Sequence, residues 1–450
     1  MSERYDAVVI GLGPGGEVAA GRLLAAGLRV AVIERELIGG ECAYWACIPS
    51  KTLLRPVEAR AEAARAAGLS RPGIDWPSLR DYRDYMIRHL DDAAQVDGYR
   101  KQGATVIKGT ARLAGPGRVE VDGQVIETGH VIVATGSDPV RPPIDGLSQA
   151  EVWTNREATT LTGIPGRAVI VGGSAVGVEL GQFLARMGTR VTLVQRAIRL
   201  IDREDPRVGE LARAQLEKDG IDVHTGTQPR RVTRSGPVTT VELDDGTRAD
   251  TDVIVLAAGR APRSAGLGLE TAGARTSERG AITVDEHCRA GEGLWALGDV
   301  TGVAMFTHVA MYQGRVVADN ILGQPRTASY HGIPRVIFAD PEIAAAGLTP
   351  ARARQAGINI AAAEIDLAGA IARPWTYQKD PGGTLGILAD RDRNVLIGAW
   401  AVAPLAGEWI HQAALAIRAR IPLGTLLDQV AQFPTYSEAY LHALEQLPRQ

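Results

Sequence analysis

The sequence predicts an α/β protein with two parallel-sheet domains and a third, C-terminal α+β domain. Two segments of the 450-residue chain, 6–34 and 167–195, repeat the same plan of strand, glycine-rich turn, helix and strand. Such a unit begins a parallel sheet. From residue 331 onward the strand and helix patterns continue without a glycine loop, which indicates the α+β domain. A chain of this length exceeds one compact core, so several domains are expected.

The composition is that of an ordinary globular protein. Hydrophobic residues make up 45% of the chain, charged residues 22%, and the formal net charge is −3. No basic stripe indicates nucleic-acid binding, and apolar runs such as "DVIVLAAG" are too short to span a bilayer. The N-terminus shows no secretion signal, and three cysteines cannot form a disulfide framework in so long a chain. We therefore predict a cytoplasmic protein.

The first glycine loop has the spacing G-x-G-x-x-G, which is met by Gly11, Gly13 and Gly16. In such a loop the first glycine permits a tight turn, the second lets a pyrophosphate approach the backbone, and the third lets helix and strand pack closely. The helix N-terminus adds free N–H groups for phosphate. Glu34 ends the next strand, where a carboxylate accepts hydrogen bonds from a ribose. The loop predicts a Rossmann-like dinucleotide site.

A second loop carries Gly172 and Gly177, with Ser174 at the middle position. Serine is small enough for the backbone to stay close to a phosphate. The second loop therefore predicts a second Rossmann-like domain.

The end of the strand after this second loop indicates which nicotinamide coenzyme is bound. Gln195 stands where an acid is expected, and Arg196 and Arg199 follow it. A 2′-phosphate is favoured where no carboxylate repels it and guanidinium groups can pair with it. The sequence therefore favours NADPH over NADH, and solvated surface arginines are the alternative interpretation.

Cys42 and Cys47, with four residues between them, lie in "GGECAYWACIPSK". The spacing does not match a zinc knuckle, and no nearby His or Cys cluster completes a metal site. A disulfide that closes so short a loop is a poor staple but is easily reduced. A redox role is therefore favoured over a metal or structural one. A helix N-terminal turn containing Pro49 is expected to lower the pKa of the sulfurs, and Cys288 is interpreted as a bystander.

The order of motifs resembles that of the class I pyridine nucleotide-disulfide oxidoreductases, flavoproteins that include glutathione reductase, dihydrolipoamide dehydrogenase and mercuric reductase. "CIPSK", "VIVATGSDP", "LAAGRAP", "LWALGDV" and "DPEIAAAGLT" occur in the family's order along nearly the whole chain. The resemblance implies FAD in the first loop, NADPH (with NADH possible) in the second, and a homodimer. It implies an FAD-binding domain in two parts, an NAD(P)H-binding domain and a dimerisation domain, with the limits 1–148 and 266–330, 149–265, and 331–450.

The resemblance also implies roles for individual residues. Cys47 is expected against the flavin as a thiolate, and Cys42 is expected to face the acceptor. Lys51 is expected beside the flavin, held by an ion pair with Glu179. Asp299 is expected at the ribityl or phosphate portion of FAD. Further expected cofactor-binding positions are Thr135, Gly136 and His308, and Gly259, with Arg260, is expected near the nicotinamide nucleotide.

The C-terminal segment "QFPTYSEAY" departs from the family pattern. Disulfide reductases carry His-Pro-x-x-x-Glu there, contributed by the partner subunit as acid and base, and here Phe433 replaces the histidine. A contribution of about 10²–10⁴ in rate is therefore missing unless Glu438, Tyr436 or Tyr440 supplies it. Glu438 can act alone if burial raises its pKa. The change disfavours glutathione-type or lipoamide-type turnover and suits metal ions, quinones or small electrophiles.

The predicted function is an FAD enzyme that passes electrons from NADPH through the Cys42–Cys47 pair to a small acceptor, which is a disulfide, a metal ion or an electrophile. One alternative is a diaphorase, quinone reductase or transhydrogenase whose flavin reduces the acceptor directly. A further alternative is a redox-sensing flavoprotein. Tyr44 and Trp45, between the cysteines, either fill the core or shape a flat acceptor site, and packing is favoured.

Overall fold

The computed structural model describes residues 4–448, in which strands and helices alternate as the sequence predicts. The strands, in chain order, are β1 (Arg4–Ile10), β2 (Val30–Glu34), β3 (Thr105–Lys108), β4 (Ala111–Leu113), β5 (Arg118–Val121), β6 (Gln124–Val133), β7 (Ser137–Pro139), β8 (Val152–Trp153), β9 (Arg167–Val171), β10 (Arg190–Gln195), β11 (Asp222–Thr225), β12 (Pro229–Ser235), β13 (Val238–Leu243), β14 (Arg248–Thr251), β15 (Val253–Leu256), β16 (Arg260–Pro262), β17 (Arg289–Gly291), β18 (Leu294–Ala296), β19 (Pro334–Ile337), β20 (Glu342–Gly347), β21 (Ile360–Asp366), β22 (Thr384–Asp390) and β23 (Val395–Ala403).

The α-helices, in chain order, are α1 (Pro14–Ala25), α2 (Gly40–Tyr44), α3 (Cys47–Arg65), α4 (Trp76–Met86), α5 (Ala93–Lys101), α6 (Asn155–Thr159), α7 (Ala175–Arg186), α8 (Pro206–Lys218), α9 (Thr307–Ile321), α10 (Pro350–Gln355), α11 (Leu367–Ala370), α12 (Arg373–Tyr377), α13 (Ala406–Ala419), α14 (Leu423–Leu427) and α15 (Ala439–Glu445). Single-turn segments are Arg88–Leu90, Leu147–Gln149, Leu269–Ala272, Gly298–Thr301 and Tyr436–Glu438. None of the described helices has the length and apolar character needed to cross a membrane.

The described chain divides into two compact units. The first runs up to Pro49 and resumes over Asp81–Val140 and Gly259–Ser329. Its main sheet has the order β17-β18-β6-β1-β2-β3, in which β1 pairs in parallel with β2 and β6. Strands β4, β5 and β6 form an antiparallel meander, and β7 pairs with β16.

The first strand of this unit is buried on both faces. Ala7 and Val9 share a core with residues of α1 and α9, and Tyr5, Val8 and Ile10 on the other face share a second core with the meander. This explains why β1 is a continuous apolar run in the sequence. The two helices approach closely at Gly15, which has no side chain. A Cβ there would lie 2.9 Å from the carbonyl oxygen of Ala310.

The second unit comprises Ser50–Arg80, Arg141–Ala258 and the chain from Tyr330 onward. It contains a parallel sheet of order β11-β10-β9-β15-β8 and an antiparallel sheet of order β12-β13-β14. Its C-terminal part is an antiparallel sheet of order β19-β20-β23-β22-β21, which shares a core with α13 and α15. The predicted fold class, with two parallel-sheet regions and a C-terminal α+β region, is confirmed.

Candidate active site

The first glycine loop joins β1 to α1 and is shaped by close backbone contacts. Gly11 has a φ of 95°, and a Cβ there would lie 2.5 Å from the carbonyl oxygen of Ala134. A Cβ on Gly16 would lie 2.1 Å from the carbonyl oxygen of Gly11. At Gly13, by contrast, no atom lies within 4 Å of the Cβ position. The protein's own packing therefore requires the first and third glycines, whereas Gly13 leaves an open face at the N-terminus of α1.

Glu34, the last residue of β2, has a carboxylate that is oriented by backbone donors. Its Oε2 accepts the N–H of Leu12 at 2.8 Å, and its Oε1 accepts the N–H of Glu36 at 2.8 Å. The residue is 8% exposed. A negative charge is thus fixed beside the glycine loop, where a ribose hydroxyl can donate to it.

Asp299, which follows β18, contacts a serine that the sequence did not single out. The hydroxyl of Ser137 donates to Oδ2 of Asp299 at 2.6 Å, and Nε of Arg260 donates to the Ser137 hydroxyl at 2.7 Å. Burial raises the pKa of Asp299. Ser137 lies inside the family motif "VIVATGSDP", and its place in that motif could have identified it from the sequence. Arg260 therefore supports the position of Asp299 through Ser137.

The remaining cofactor-binding candidates of the first unit lie in loops and at the start of α9. Thr135 donates its hydroxyl to the carbonyl oxygen of Arg263 at 2.6 Å, and Gly136 accepts the N–H of Arg263 at 2.9 Å. Gly136 and Gly259 have φ values of 75° and 115°, a region that favours glycine. His308 is exposed in the first turn of α9. Their cofactor contacts stay predictions.

Neither cysteine of the pair is in a disulfide, and both are partly buried, Cys42 in α2 and Cys47 at the first position of α3. The Sγ of Cys47 lies 3.3 Å from Oγ1 of Thr307, the first residue of α9. A hydrogen bond with Cys47, together with burial, raises the pKa of Cys42. The expected lowering of the pKa is therefore wrong for Cys42. A shared proton and loss of water outweigh the dipoles of a helix N-terminus there.

In the second unit, Lys51 of α3 and Glu179 of α7 form the ion pair that the resemblance implied. The Nζ of Lys51 lies 2.8 Å from Oε2 of Glu179. The other carboxylate oxygen accepts the N–H of Phe338 at 2.9 Å, and Nζ of Lys51 lies 4.8 Å from the centre of the Phe338 ring. Glu179 is 5% exposed, which excludes an ordinary helix-surface acid. No local pattern indicated the part played by Phe338.

The second glycine loop, between β9 and α7, repeats the construction of the first. Gly172 has a φ of 117°, and a Cβ there would lie 2.2 Å from the carbonyl oxygen of Ala257. A Cβ on Gly177 would lie 1.8 Å from the carbonyl oxygen of Gly172. Ser174 is exposed at the N-cap of α7 and makes no side-chain capping bond. Serine at this position is therefore compatible with the same loop geometry as in the first loop.

The strand after this loop ends in an uncharged, buried side chain. Oε1 of Gln195 accepts the N–H of Gly173 at 3.0 Å, and the residue is 9% exposed. Arg196 is exposed and Arg199 partly exposed. Neither arginine forms an ion pair with a carboxylate within residues 4–448. Both guanidinium groups are therefore available to a phosphate.

Two family models match the chain over most of its length. The model of the pyridine nucleotide-disulphide oxidoreductases matches residues 5–314, and the model of the dimerisation domain of that family matches residues 333–444. The chain belongs to the pyridine nucleotide-disulphide oxidoreductase family. It is therefore an NAD(P)H-dependent oxidoreductase with a dimerisation domain.

Named members of the family are similar to the chain along almost its whole length. A dihydrolipoyl dehydrogenase of Thermus scotoductus is 35% identical over 459 residues, which cover 99% of this chain and 98% of the relative. A mercuric reductase of Streptomyces lividans is 37% identical over 443 residues, which cover 95% and 92%. Among solved structures, the Cu(II) complex of the HOCl-induced flavoprotein disulfide reductase RclA from Escherichia coli has a TM-score of 0.86 at 27% identity, covering 98% of this chain and 99% of that one. These relatives do not favour the direct-flavin and sensor alternatives.

FAD and NAD(P)H are the cofactors expected in this family, and the first loop fits FAD. The open face at Gly13 admits a pyrophosphate at the N-terminus of α1. The fixed carboxylate of Glu34 fits a ribose, and that of Asp299 fits a further hydroxyl. The donors and acceptors of the described residues therefore agree with the family's prosthetic group.

The tyrosines proposed to replace the family's acid–base histidine are buried. Tyr436 is 4% exposed, and its ring is stacked on that of Trp409 with centroids 6.1 Å apart. Burial raises the pKa of Tyr436 to about 12. Tyr440 is 3% exposed, and burial raises its pKa as well. Both side chains are protonated at neutral pH, so packing is favoured over a role as base.

Glu438, like the hydroxyl of Tyr436, has a buried oxygen without a hydrogen-bond partner among the described residues, but a carboxylate can act as a base at neutral pH. Its Oε2 is buried and accepts no hydrogen bond from the part of the chain that the structure describes. Its Oε1 lies 3.9 Å from Nε2 of His442, one helical turn further on. Phe433, in the histidine's place, is 69% exposed. Glu438 therefore stays the predicted acid or base of this segment.

Proposed function

We propose that the chain passes electrons from NADPH through FAD to the Cys42–Cys47 pair, and from the pair to a thiophilic metal ion. The observation behind this proposal is the Cys42–Cys47 pair, with the hydroxyl of Thr307 3.3 Å from Sγ of Cys47, in a chain with Phe433 where the family's imidazole stands. Two of the similar proteins support it. One is named a mercuric reductase, and the solved structure of another, the flavoprotein disulfide reductase RclA, is a Cu(II) complex.

The missing imidazole matters less for a metal ion than for a disulfide. When a thiolate attacks a disulfide, the sulfur that leaves must be stabilised, and an acid that protonates it accelerates the step. A soft metal ion has no such leaving group, because it binds sulfur directly and displaces the thiol protons to water. Phe433 therefore removes a proton transfer that a metal acceptor does not need.

The cysteine pair balances the electrons and protons of this reaction. When bound, FAD accepts a hydride from NADPH and passes two electrons on, which no side chain of the protein can do. A hydride brings two electrons and one proton, so the reduced pair is one thiol, at Cys42, and one thiolate, at Cys47. Two Cu(II) ions take one electron each, the proton goes to water, and the bond between Cys42 and Cys47 forms again. The raised pKa of Cys42 keeps one proton on the pair until an acceptor arrives.

NADPH is the proposed electron donor. Gln195 places no negative charge beside the second loop, and Arg196 and Arg199 have no carboxylate partner among the described residues. A guanidinium group pairs well with a 2′-phosphate. NADH is expected to bind more weakly because it offers no phosphate to these arginines.

A homodimer is the proposed assembly. The matched dimerisation domain exposes several large apolar side chains, and the most exposed are Trp375 (65%), Leu415 (65%), Val430 (99%) and Phe433 (69%). Such side chains are normally covered in an assembly. Coverage by a second copy of the chain accounts for their exposure.

The cysteine route is tested by steady-state turnover of NADPH with Cu(II) and with a quinone. We expect Cys42→Ser to reduce Cu(II) at least about 100-fold more slowly, since it removes the thiol that gives up the electron. Quinone reduction by the flavin should persist. The control is Cys288→Ala, because Cys288 is fully buried outside the pair. Unchanged Cu(II) reduction in Cys42→Ser would contradict the proposal.

The choice of acceptor is tested by Phe433→His. An imidazole restores an acid to this segment, and the unpaired Oε2 of Glu438 is an acceptor that can orient it. We expect turnover with a small disulfide such as lipoamide to rise by about tenfold or more, and Cu(II) reduction to stay the same. If the wild type already turns over lipoamide faster than Cu(II), the metal proposal is wrong and the cysteine route alone remains.

A further inference from the structure

We infer that Arg88 is a positioning residue for the redox pair, because it holds Tyr44 and thereby the helix that carries Cys42. The inference rests on the proposed use of the pair in turnover. Arg88 lies outside the family motifs of the sequence, and all the groups involved belong to the first unit.

Arg88 lies in a left-handed turn that follows α4. Arg88, His89 and Leu90 have φ values of 55°, 51° and 59°. Residues other than glycine visit this region mostly one at a time, since the Cβ crowds the following carbonyl oxygen. The turn is closed by hydrogen bonds from Leu90 N–H to the Ile87 carbonyl at 3.0 Å and from Asp91 N–H to the Arg88 carbonyl at 2.9 Å. Surrounding contacts must fix such a backbone, which often marks a functional position.

The side chain of Arg88 reaches the tyrosine between the two cysteines. Its Nη1 donates to the Tyr44 hydroxyl at 3.3 Å, and its Cζ lies 5.6 Å from the ring centre. Tyr44 is 0% exposed, and its own hydroxyl donates to the carbonyl oxygen of Ile38 at 3.0 Å. A buried tyrosine whose hydroxyl both donates and accepts is held in one position. Cys42 lies in the same five-residue helix, α2, and is held with it.

The segment after α4 also holds the backbone N–H of Ile38. Oδ2 of Asp92 accepts the N–H of Ile38 at 2.7 Å, and Nζ of Lys108 donates to the same oxygen at 2.7 Å. The next residue, Gly39, donates its N–H to the carbonyl oxygen of Leu12 in the first glycine loop at 2.7 Å. The approach to α2 is thus attached to the cofactor loop on one side and to the segment after α4 on the other.

Fixing α2 matters because closing a disulfide depends on how often one sulfur sits against the other. A loosened α2 lowers the effective concentration of the Cys42 thiol at Cys47. The disulfide then forms less completely and is reduced more readily, so the reduction potential of the pair becomes less negative. Arg88 acts on this equilibrium through Tyr44 and contacts neither sulfur.

The test measures the thiol–disulfide equilibrium of the full-length holoprotein in dithiothreitol redox buffers, read by alkylation and mass after quenching. We expect the constant for closing the disulfide to fall about tenfold in Arg88→Met, which corresponds to about 30 mV. Tyr44→Phe should shift it in the same direction, and Arg88→Lys, which keeps a cation over the ring, should recover part of the loss. The control is Arg118→Met, an exposed arginine on β5 of the same unit.

The double variant Arg88→Met/Tyr44→Phe shows whether Arg88 acts through the tyrosine. If it does, the double variant shifts the equilibrium no further than the larger single change. Fully additive effects, or an unchanged equilibrium in Arg88→Met, would overturn the inference. Thermal unfolding identifies a variant that does not fold. If Arg88→Met does not fold, the shifts in Arg88→Lys and Tyr44→Phe decide whether Arg88 positions the pair. If NADPH reduces no Cys42–Cys47 disulfide even in the wild type, the proposed function itself fails. If the wild type is reduced but the variants leave the thiol–disulfide equilibrium unchanged, only the role of Arg88 is refuted.

Discussion

The two glycine loops are built alike and differ in one charge. Gly11 and Gly172 have φ values of 95° and 117°, and a Cβ on them would lie 2.5 Å and 2.2 Å from a carbonyl oxygen. The strand after each loop ends in a side-chain oxygen that accepts a loop N–H, that of Glu34 at 2.8 Å and that of Gln195 at 3.0 Å. The backbone thus sets the shape of a dinucleotide site, and one side chain sets its charge.

Glutamate and glutamine have nearly the same shape, so the exchange alters the electrostatics and leaves the loop in place. A carboxylate is a strong acceptor for ribose hydroxyls and repels a 2′-phosphate. An amide does not repel the phosphate, and Arg196 and Arg199 follow it in the sequence. Substitutions at matching positions of the two loops therefore separate the part of each site that is steric from the part that is electrostatic.

The largest effect is expected from the third glycines. A Cβ would lie 2.1 Å from the Gly11 carbonyl oxygen in Gly16→Ala and 1.8 Å from the Gly172 carbonyl oxygen in Gly177→Ala. Each substitution forces a helix away from its strand, at a cost of about 3 kcal/mol in the free energy of unfolding. Gly16→Ala should lose bound FAD and Gly177→Ala should lose NADPH binding, as read by flavin absorbance and coenzyme titration. If both loops accept alanine without loss, their likeness does not depend on packing.

The next effect is expected from Glu34→Gln, which gives the first loop the side chain of the second. The amide oxygen can still accept the N–H of Leu12, so the fold should persist. FAD affinity should fall about tenfold to a hundredfold, because hydrogen bonds to a charged acceptor contribute about 1.5–3 kcal/mol. Titration of the apoprotein with FAD measures this loss. An unchanged dissociation constant would mean that the charge of Glu34 does not act on the cofactor.

The reciprocal change, Gln195→Glu, should shift coenzyme preference toward NADH. The new carboxylate repels a 2′-phosphate and accepts from a ribose, so the ratio of kcat/KM for NADPH over NADH should fall by about tenfold. Arg199→Ala should act in the same direction. Arg230→Ala, at an exposed arginine of the same unit, is the control. A wild type that prefers NADH would refute the assignment of the two arginines.

The smallest effect is expected from Ser174→Gly, which restores the family's middle glycine. The Ser174 hydroxyl is exposed and makes no capping bond, so its removal deletes no contact. At an N-cap, glycine and serine differ by only a few tenths of a kcal/mol in helix stability. The KM for NADPH should therefore change by no more than about threefold. A larger gain in affinity would show that the serine limits how closely the phosphate approaches.

Features that depend on local chain geometry could be predicted from the sequence. The glycine at Gly11 is required by a positive φ and a close carbonyl oxygen, and both follow from a strand–turn–helix pattern. The ion pair between Lys51 and Glu179 could be predicted from the order of the family motifs, although 128 residues separate the two in the chain.

Contacts between distant segments could not be predicted, because no spacing marks them. Thr307 meets Cys47 across 260 residues, and Arg88 depends on a left-handed turn of residues with no glycine among them. The predicted direction of the pKa shift of Cys42 was wrong for a related reason. The rule for helix N-termini takes no account of a second sulfur or of burial, and both raise the pKa here.

The most direct test of electron transfer through the cysteine pair is an anaerobic titration of the holoprotein with NADPH. The thiols are alkylated after each addition and located by mass. If electrons leave through the cysteine pair, the first equivalent of NADPH produces two new alkylated thiols, at Cys42 and Cys47. A long-wavelength absorption band should accompany them and be missing in Cys47→Ser. Bleaching of the flavin in the wild type without any new thiol would contradict the account.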